Sequence, residues 1–141
     1  MELSPPLLAS RTSRLMGQLL DGISAGFVGI FCWVIAWILL FLLPLSGSTI
    51  LSLAVGTLGY AGYLLFSDGF QNGQSWGKKV FNIAVVDEKT MAPCSYRQSF
   101  IRNLTLILLN WIDWIFIFGE KRQRLGDKIA GTIVVQRDIP R

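Results

Sequence analysis

The sequence predicts an all-α membrane protein: two full transmembrane helices, a third helical segment, and a small two-stranded cytoplasmic β-sheet pairing about 80–87 with 131–136. Three observations carry this. Of 141 residues, 52% are apolar and 16% charged, and the mean hydropathy is +0.49, too apolar and too short a chain for an ordinary soluble domain. No charge occurs between Asp21 and Asp68, a stretch long enough to cross a bilayer twice at about 20 residues per crossing. Two β-rich runs, IAVV at 83–86 and TIVV at 132–135, flank the last apolar segment.

Taken in order, residues 1–13 hold Pro5, Pro6 and small polar residues and read as a flexible lead-in, with Ser13 the candidate cap of the first helix. The first span covers 14–43, and Pro44 with the Ser46, Gly47, Ser48 cluster breaks it. Residues 17–43 extend roughly 40 Å as a helix against a ~30 Å hydrocarbon core, so the helix tilts or its Arg14 end protrudes. An apolar run of this length does not fit a cleavable signal peptide. The second span, 49–67, returns after a tight, uncharged turn. Gly22, Gly26 and Gly29 on the first helix, and Ser48, Ser52 and Gly56 on the second, have the spacing that lets helix backbones approach.

The loop 68–95 is polar and holds the first strand. Its Gly73-x-Ser75-x-Gly77-Lys78-Lys79 stretch lacks the spacing of a phosphate-binding P-loop and reads as a turn into the strand, with Lys78 and Lys79 at anionic headgroups. Ser95 followed by Gln98 is a capping-box pattern for a helix starting near Tyr96. The third segment, 96–119, contains an apolar part at 104–119, interrupted at Asn110 and Asp113, that is ~24 Å long as one helix and marginal for a crossing. A tail, 120–141, completes a single domain over 1–141.

Basic residues set the topology. The turn between the spans has none, whereas Arg11 and Arg14, the loop with Lys78, Lys79, Lys89, Arg97 and Arg102, and the tail with Lys121, Arg122, Arg124 and Lys128 are all basic. The amino terminus and the loop are therefore cytoplasmic. A third segment that re-enters or lies in the interface keeps the tail inside as well and lets the two β runs pair, which removes their open edges. A third full span is the competing topology.

The chain has no histidine, which removes imidazole acid/base work, ligation and proton relays together. Cys32 and Cys94 lack metal-ligand spacing, and no nucleophile and base stand at readable spacing. We expect neither an enzyme nor a cofactor or metal. The net charge of +4 lies beside apolar spans, where it orients helices rather than binding nucleic acid.

The candidate ion- or substrate-binding residues are Arg14, Asp21, Asp113 and Asp127. Arg14 and Asp21, seven apart, share a helix face about 10 Å apart along the axis, where Arg14 would bias Asp21. Asp113 sits in NWIDW, whose Trp111 and Trp114 suit an interface, so that a shallow Asp113 would face headgroup water. Asp127 lies in RLGDKIAGT. Carboxylates within a membrane cost a few kcal/mol and face a partner or a water-filled cavity. They serve either a travelling cation or proton, or structural ion pairs: Arg14 with Asp127, and Asp21 with a basic residue at the boundary.

Arg14 and Asp21, GQSWGKK leading into VFNIAVVD, SYRQSFIRN, and RQRLGDKIAGTIVV together resemble the RDD family of small bacterial membrane proteins, over about 14–136. The resemblance implies a bacterial inner-membrane location. It also implies that the arginine and two aspartates of the family name are Arg14, Asp21 and Asp127, with transport, and for some members sodium/proton exchange, as the suggested role. Many members carry histidine where this chain has Gly126, and Ala often stands at the position of Gly17. Exchange of sodium or protons through two or three helices would require a homo-oligomer in the lipid bilayer. A scaffold docking a partner or anionic lipid is the alternative.

Overall fold

The computed structural model describes residues 7–43, 48–109, 112–119 and 121–137, leaving aside the side chains of Ser48, Gln71 and Trp114. Helix α1 is Arg11–Leu42 and α2 is Ser48–Phe66. Both are long and apolar enough to cross a membrane. Their outward side chains are apolar, with Phe31, Phe41, Ile50 and Leu58 all more than half exposed, as a lipid-facing surface requires. Where the two helices meet, small residues set the distance. A Cβ on Gly29 would lie 3.0 Å from the Tyr60 Cβ, one on Gly56 2.7 Å from the Trp33 Cβ, and one on Gly59 2.8 Å from the Cys32 sulfur. Ser52 is fully buried there. Gly22 and Gly26, expected at this contact, have open space at their Cβ positions. The buried stripe of α1 runs Arg14, Gly17, Asp21, Ala25, Gly29, and Gly22 and Gly26 fall beside it. The break proposed at Pro44 and residues 46–47 lies outside the described residues.

The lead-in is more ordered than its composition suggests. Ser10, not Ser13, caps α1, its hydroxyl accepting from the Ser13 amide at 3.0 Å, so the helix starts three residues earlier than expected. Just before it, the Ala9 amide donates to Val134 and the Gln136 amide to Leu7. Residues 1–6 lie outside the description.

A short helix, α3 (Trp76–Val80), occupies what the sequence offered as the start of the first strand. Strand β1 is Ile83–Asp87 and pairs antiparallel with β2, Thr132–Gln136, in the register Val85↔Val134. Neither edge is left open: residues 7–9 run along β2, and on the far side of β1 the Cys94 amide donates to Val85. Ala9, Ile83, Val85, Cys94 and Val134 form the small core of this cap, and burial pushes the Cys94 thiol up to about 11.

Helix α4 (Tyr96–Leu109) begins where the capping box placed it, with the Ser95 amide on the Gln98 carbonyl and the Gln98 amide on the Ser95 hydroxyl. At 14 residues it is about 21 Å long, short of a crossing. Beyond it come α5 (Ile112–Ile115), a 3-10 turn Phe116–Phe118, and α6 (Leu125–Ala130). Gly131, at φ +64, caps α6 in the left-handed conformation and turns the chain into β2.

One continuous helix from 102 to 113 would separate those residues by about 16 Å. Instead both meet Gly126: its amide donates to the Asp113 carboxylate at 2.7 Å, and a Cβ there would strike the Arg102 carbonyl oxygen. The chain after α4 therefore folds back. Asn110 and Trp111 lie outside the described residues, as does the Trp114 side chain.

Candidate functional site

Five parts of the fold converge where α1 enters the cap. Helix α1 contributes Arg14 and Asp21 from one face. The 3-10 turn after α2, Ser67–Gly69, contributes Asp68. The turn into α3 gives Ser75, Gly77 and Lys78, α4 gives Ser99, Arg102 and Asn103 at i, i+3, i+4, and the α5–α6 region gives Asp113, Arg124 and Asp127. All are buried.

The Asp21 carboxylate accepts from the Ser75 hydroxyl at 2.5 Å, the Gly77 amide at 2.8 Å and the Lys78 ammonium at 3.1 Å. That fit requires Gly77, where a Cβ would strike the Gly17 carbonyl and stand 2.9 Å from Asp21 Oδ1. Lys78 Nζ also lies 2.5 Å from Asp68 Oδ1. Asp68 in turn accepts from Asn103 at 3.0 Å and lies 3.5 Å from the Arg102 guanidinium, whose other arm reaches Asp127 at 2.9 Å.

Asp127 accepts from Arg14 and, at 3.1 Å, from the Arg124 backbone amide. The Arg124 side chain lies 3.6 Å from Asp127 and 3.7 Å from Asp113, and donates to Gln18 at 2.7 Å. Arg14 donates as well to the Arg122 carbonyl. Burial works to raise the Asp127 carboxyl, but the guanidiniums of Arg102, Arg124 and Arg14 hold it well below the usual carboxylate range.

The result is an alternating chain, Asp21, Lys78, Asp68, Arg102, Asp127, then Arg14 and Arg124, and Asp113. It contains four carboxylates and four cations, and it is neutral as a unit. Arg14 meets Asp127 and not Asp21, correcting the expectation that the two residues of α1 act on each other. A seven-residue separation puts them on one face, but 10 Å is too far for contact, and Lys78 fills the intervening role at Asp21. Lys78, expected at lipid headgroups, is buried. Asp113, expected in headgroup water, has no exposed surface, because the fold-back carries it onto α6.

Lys78, Asp68, Arg102 and Arg124 are the members that sequence reasoning missed. Their signal is position: each charge directly abuts an apolar element it could not enter alone. Each of the four carboxylates has at least two donors or cations around it, and among the described residues no group of three or more His, Cys, Asp or Glu side chains is placed to hold a metal. The arrangement binds its own elements together and leaves no bare carboxylate among these four.

A family model described as the RDD family matches residues 8–131. No curated protein and no solved structure matches the chain.

Proposed function

From the premise that the chain belongs to the RDD family, we propose that it is a multi-pass protein of the bacterial inner membrane that works as an accessory or scaffold module, its Arg–Asp network serving as a structural clamp. Two spans anchor it, the amino terminus and the β-sheet cap face the cytoplasm, and the folded-back third segment re-enters or lies in the interface without crossing. No enzymatic step belongs to this reading. The observation that carries it is the neutrality of the network: every one of its carboxylates is already engaged by the chain's own donors, so none stands ready for a travelling ion. Breaking such a set exposes a buried charge, and keeping it whole fixes one arrangement of elements.

The test is sodium- and pH-jump flux in proteoliposomes with the wild type beside Asp21→Asn. We expect neither protein to exceed empty vesicles. Coupled flux in the wild type that disappears in a folded Asp21→Asn protein would overturn the reading. The topology is tested separately by a single cysteine in the tail, probed with an impermeant thiol reagent on intact cells: labelling from outside would remove it.

A second reading, cation or cation/proton exchange by a homo-oligomer, is favoured by one observation. Of the four buried cations Lys78 alone is an ammonium rather than a guanidinium, and it bridges Asp21 and Asp68. A strictly monomeric protein in lipid would leave this reading without walls for a pathway.

A further inference from the structure

We propose that the α5–α6 region holds a binding site for the headgroup of an anionic phospholipid. An open pocket of about 210 Å³ is lined by Phe116, Gly119, Lys121, Arg122, Gln123 and Lys128. Three of the six are cations and none is a carboxylate. Lys121 is held by Glu88 at 2.5 Å on the cap side, and Glu88 is shared with the Gln123 amide. The Arg122 guanidinium donates to the Ala9 carbonyl at 3.4 Å, and Lys128 stands over the Phe116 ring at 5.2 Å. Among the described residues neither has a carboxylate partner, so the described lining offers two cations, Arg122 and Lys128, to a phosphate.

Its position selects a lipid over a soluble anion. The Arg11 guanidinium lies 5.1 Å from the centroid of the Phe118 ring, which sets the pocket beside the first residue of α1. The outward apolar side chains of α1 begin at Leu15, Met16 and Leu19, about 6–12 Å further along the axis. The nearer end of that interval matches the depth of one headgroup layer, about 5–8 Å. Ile115 and Phe118, next in the chain to the lining residues Phe116 and Gly119, are 55% and 72% exposed, an apolar rim next to the basic pocket. Cations at headgroup depth with apolar side chains beneath them are what an interfacial element needs. A phosphodiester bridging Arg122 and Lys128 would satisfy both cations while its acyl chains lie along the rim.

The proposal rests on the membrane placement given above but not on which side the pocket faces, nor on the role of the Arg–Asp network. The test uses the full chain in nanodiscs of equal phosphatidylglycerol and phosphatidylcholine, with retained lipid counted by native mass spectrometry. The wild type is expected to retain phosphatidylglycerol over phosphatidylcholine by about tenfold or more, and Lys128→Gln to lose about fivefold of that preference. The triple variant Lys121→Gln/Arg122→Gln/Lys128→Gln is expected to lose it altogether. The control Lys89→Gln/Arg97→Gln, which removes two exposed charges elsewhere, should keep it. An unchanged thermal midpoint shows that the triple variant folds, and if it does not, Lys128→Gln alone decides.

Equal retention of both lipids by the wild type would overturn the proposal, as would an undiminished preference in the folded triple variant. Displacement of phosphatidylglycerol by inorganic phosphate would overturn the lipid assignment and leave a site for a free anion. A cysteine-labelling result against the cytoplasmic tail, with the lipid preference intact, would move the site to the other leaflet without removing it.

Discussion

Between Arg14 and Asp21, α1 buries two charges against the cap, the loop and the α5–α6 region, whereas from Ala25 onward its close partner is α2 and the contact is made by glycines. The same helix is thus held by opposite means along its length. Ion pairs and amide donors are directional and few, so they fix the rotation and depth of the helix. Glycine contacts permit proximity but admit sliding by a turn, because lipid offers no hydrophobic drive to prefer one register. The charged end therefore sets the geometry that the apolar end merely maintains.

The largest effect is expected from breaking the charged end. Asp127→Ala leaves Arg14 and Arg102 facing each other without their shared carboxylate, and should lower stability by about 3–5 kcal/mol in urea or SDS unfolding of the reconstituted protein. Gly77→Ala comes next. The added methyl strikes the Gly17 carbonyl and presses on Asp21, costing about 1–3 kcal/mol and loosening α1 from the cap, read as faster hydrogen exchange at residues 76–80. In the apolar end, Gly56→Ala should cost a similar or smaller amount against Trp33, whereas Gly26→Ala, with nothing within 4 Å, should be neutral. If Gly26→Ala were the worse of the two, the helix pair would have a different face.

Acid supplies a graded version of the first test. The folded Asp127 carboxyl titrates below its ordinary value of 3.8, so its stabilisation is complete above that value and is lost as pH falls through it toward the depressed one. Glu88, held down by its hydrogen bond from Lys121, behaves in the same direction. The unfolding free energy should be flat from neutral pH to about pH 5 and fall steeply below about pH 4, while contacts among the apolar halves of α1 and α2 stay pH-independent. The smallest effect belongs to Lys121→Ala, an exposed partner of Glu88 whose loss should leave the unfolding midpoint within error.

The parts of this fold that sequence made legible are those governed by local rules. The Ser95–Gln98 box, the two spans, the β runs and their pairing follow from spacing and composition, and the pairing of Arg14 with Asp127 followed as one of two uses of a buried carboxylate. What was hidden depends on tertiary approach. Lys78 sits in a glycine-rich polar loop, and such a lysine looks solvated until Gly77 is seen to let the loop touch α1. Arg102 looks like a topology signal because it borders an apolar run, yet the fold-back brings Gly126 and Asp127 against it. Ala9 lacks any pattern of its own, since its strand-like role is dictated by the free edge of β2.

Residues 7–9 lie along β2, and the cap they complete joins the beginning of the chain to a strand more than a hundred residues later. Synthesis proceeds from the amino terminus, so α1 enters the bilayer with Arg14 before Asp127 and Val134 have been made. For that interval the arginine stays at the water boundary, and the sheet cannot close. The charged network and the sheet therefore close only after residues 127 and 134 have been made. A chain that stops before residue 127 lacks the carboxylate that Arg14 and Arg102 share.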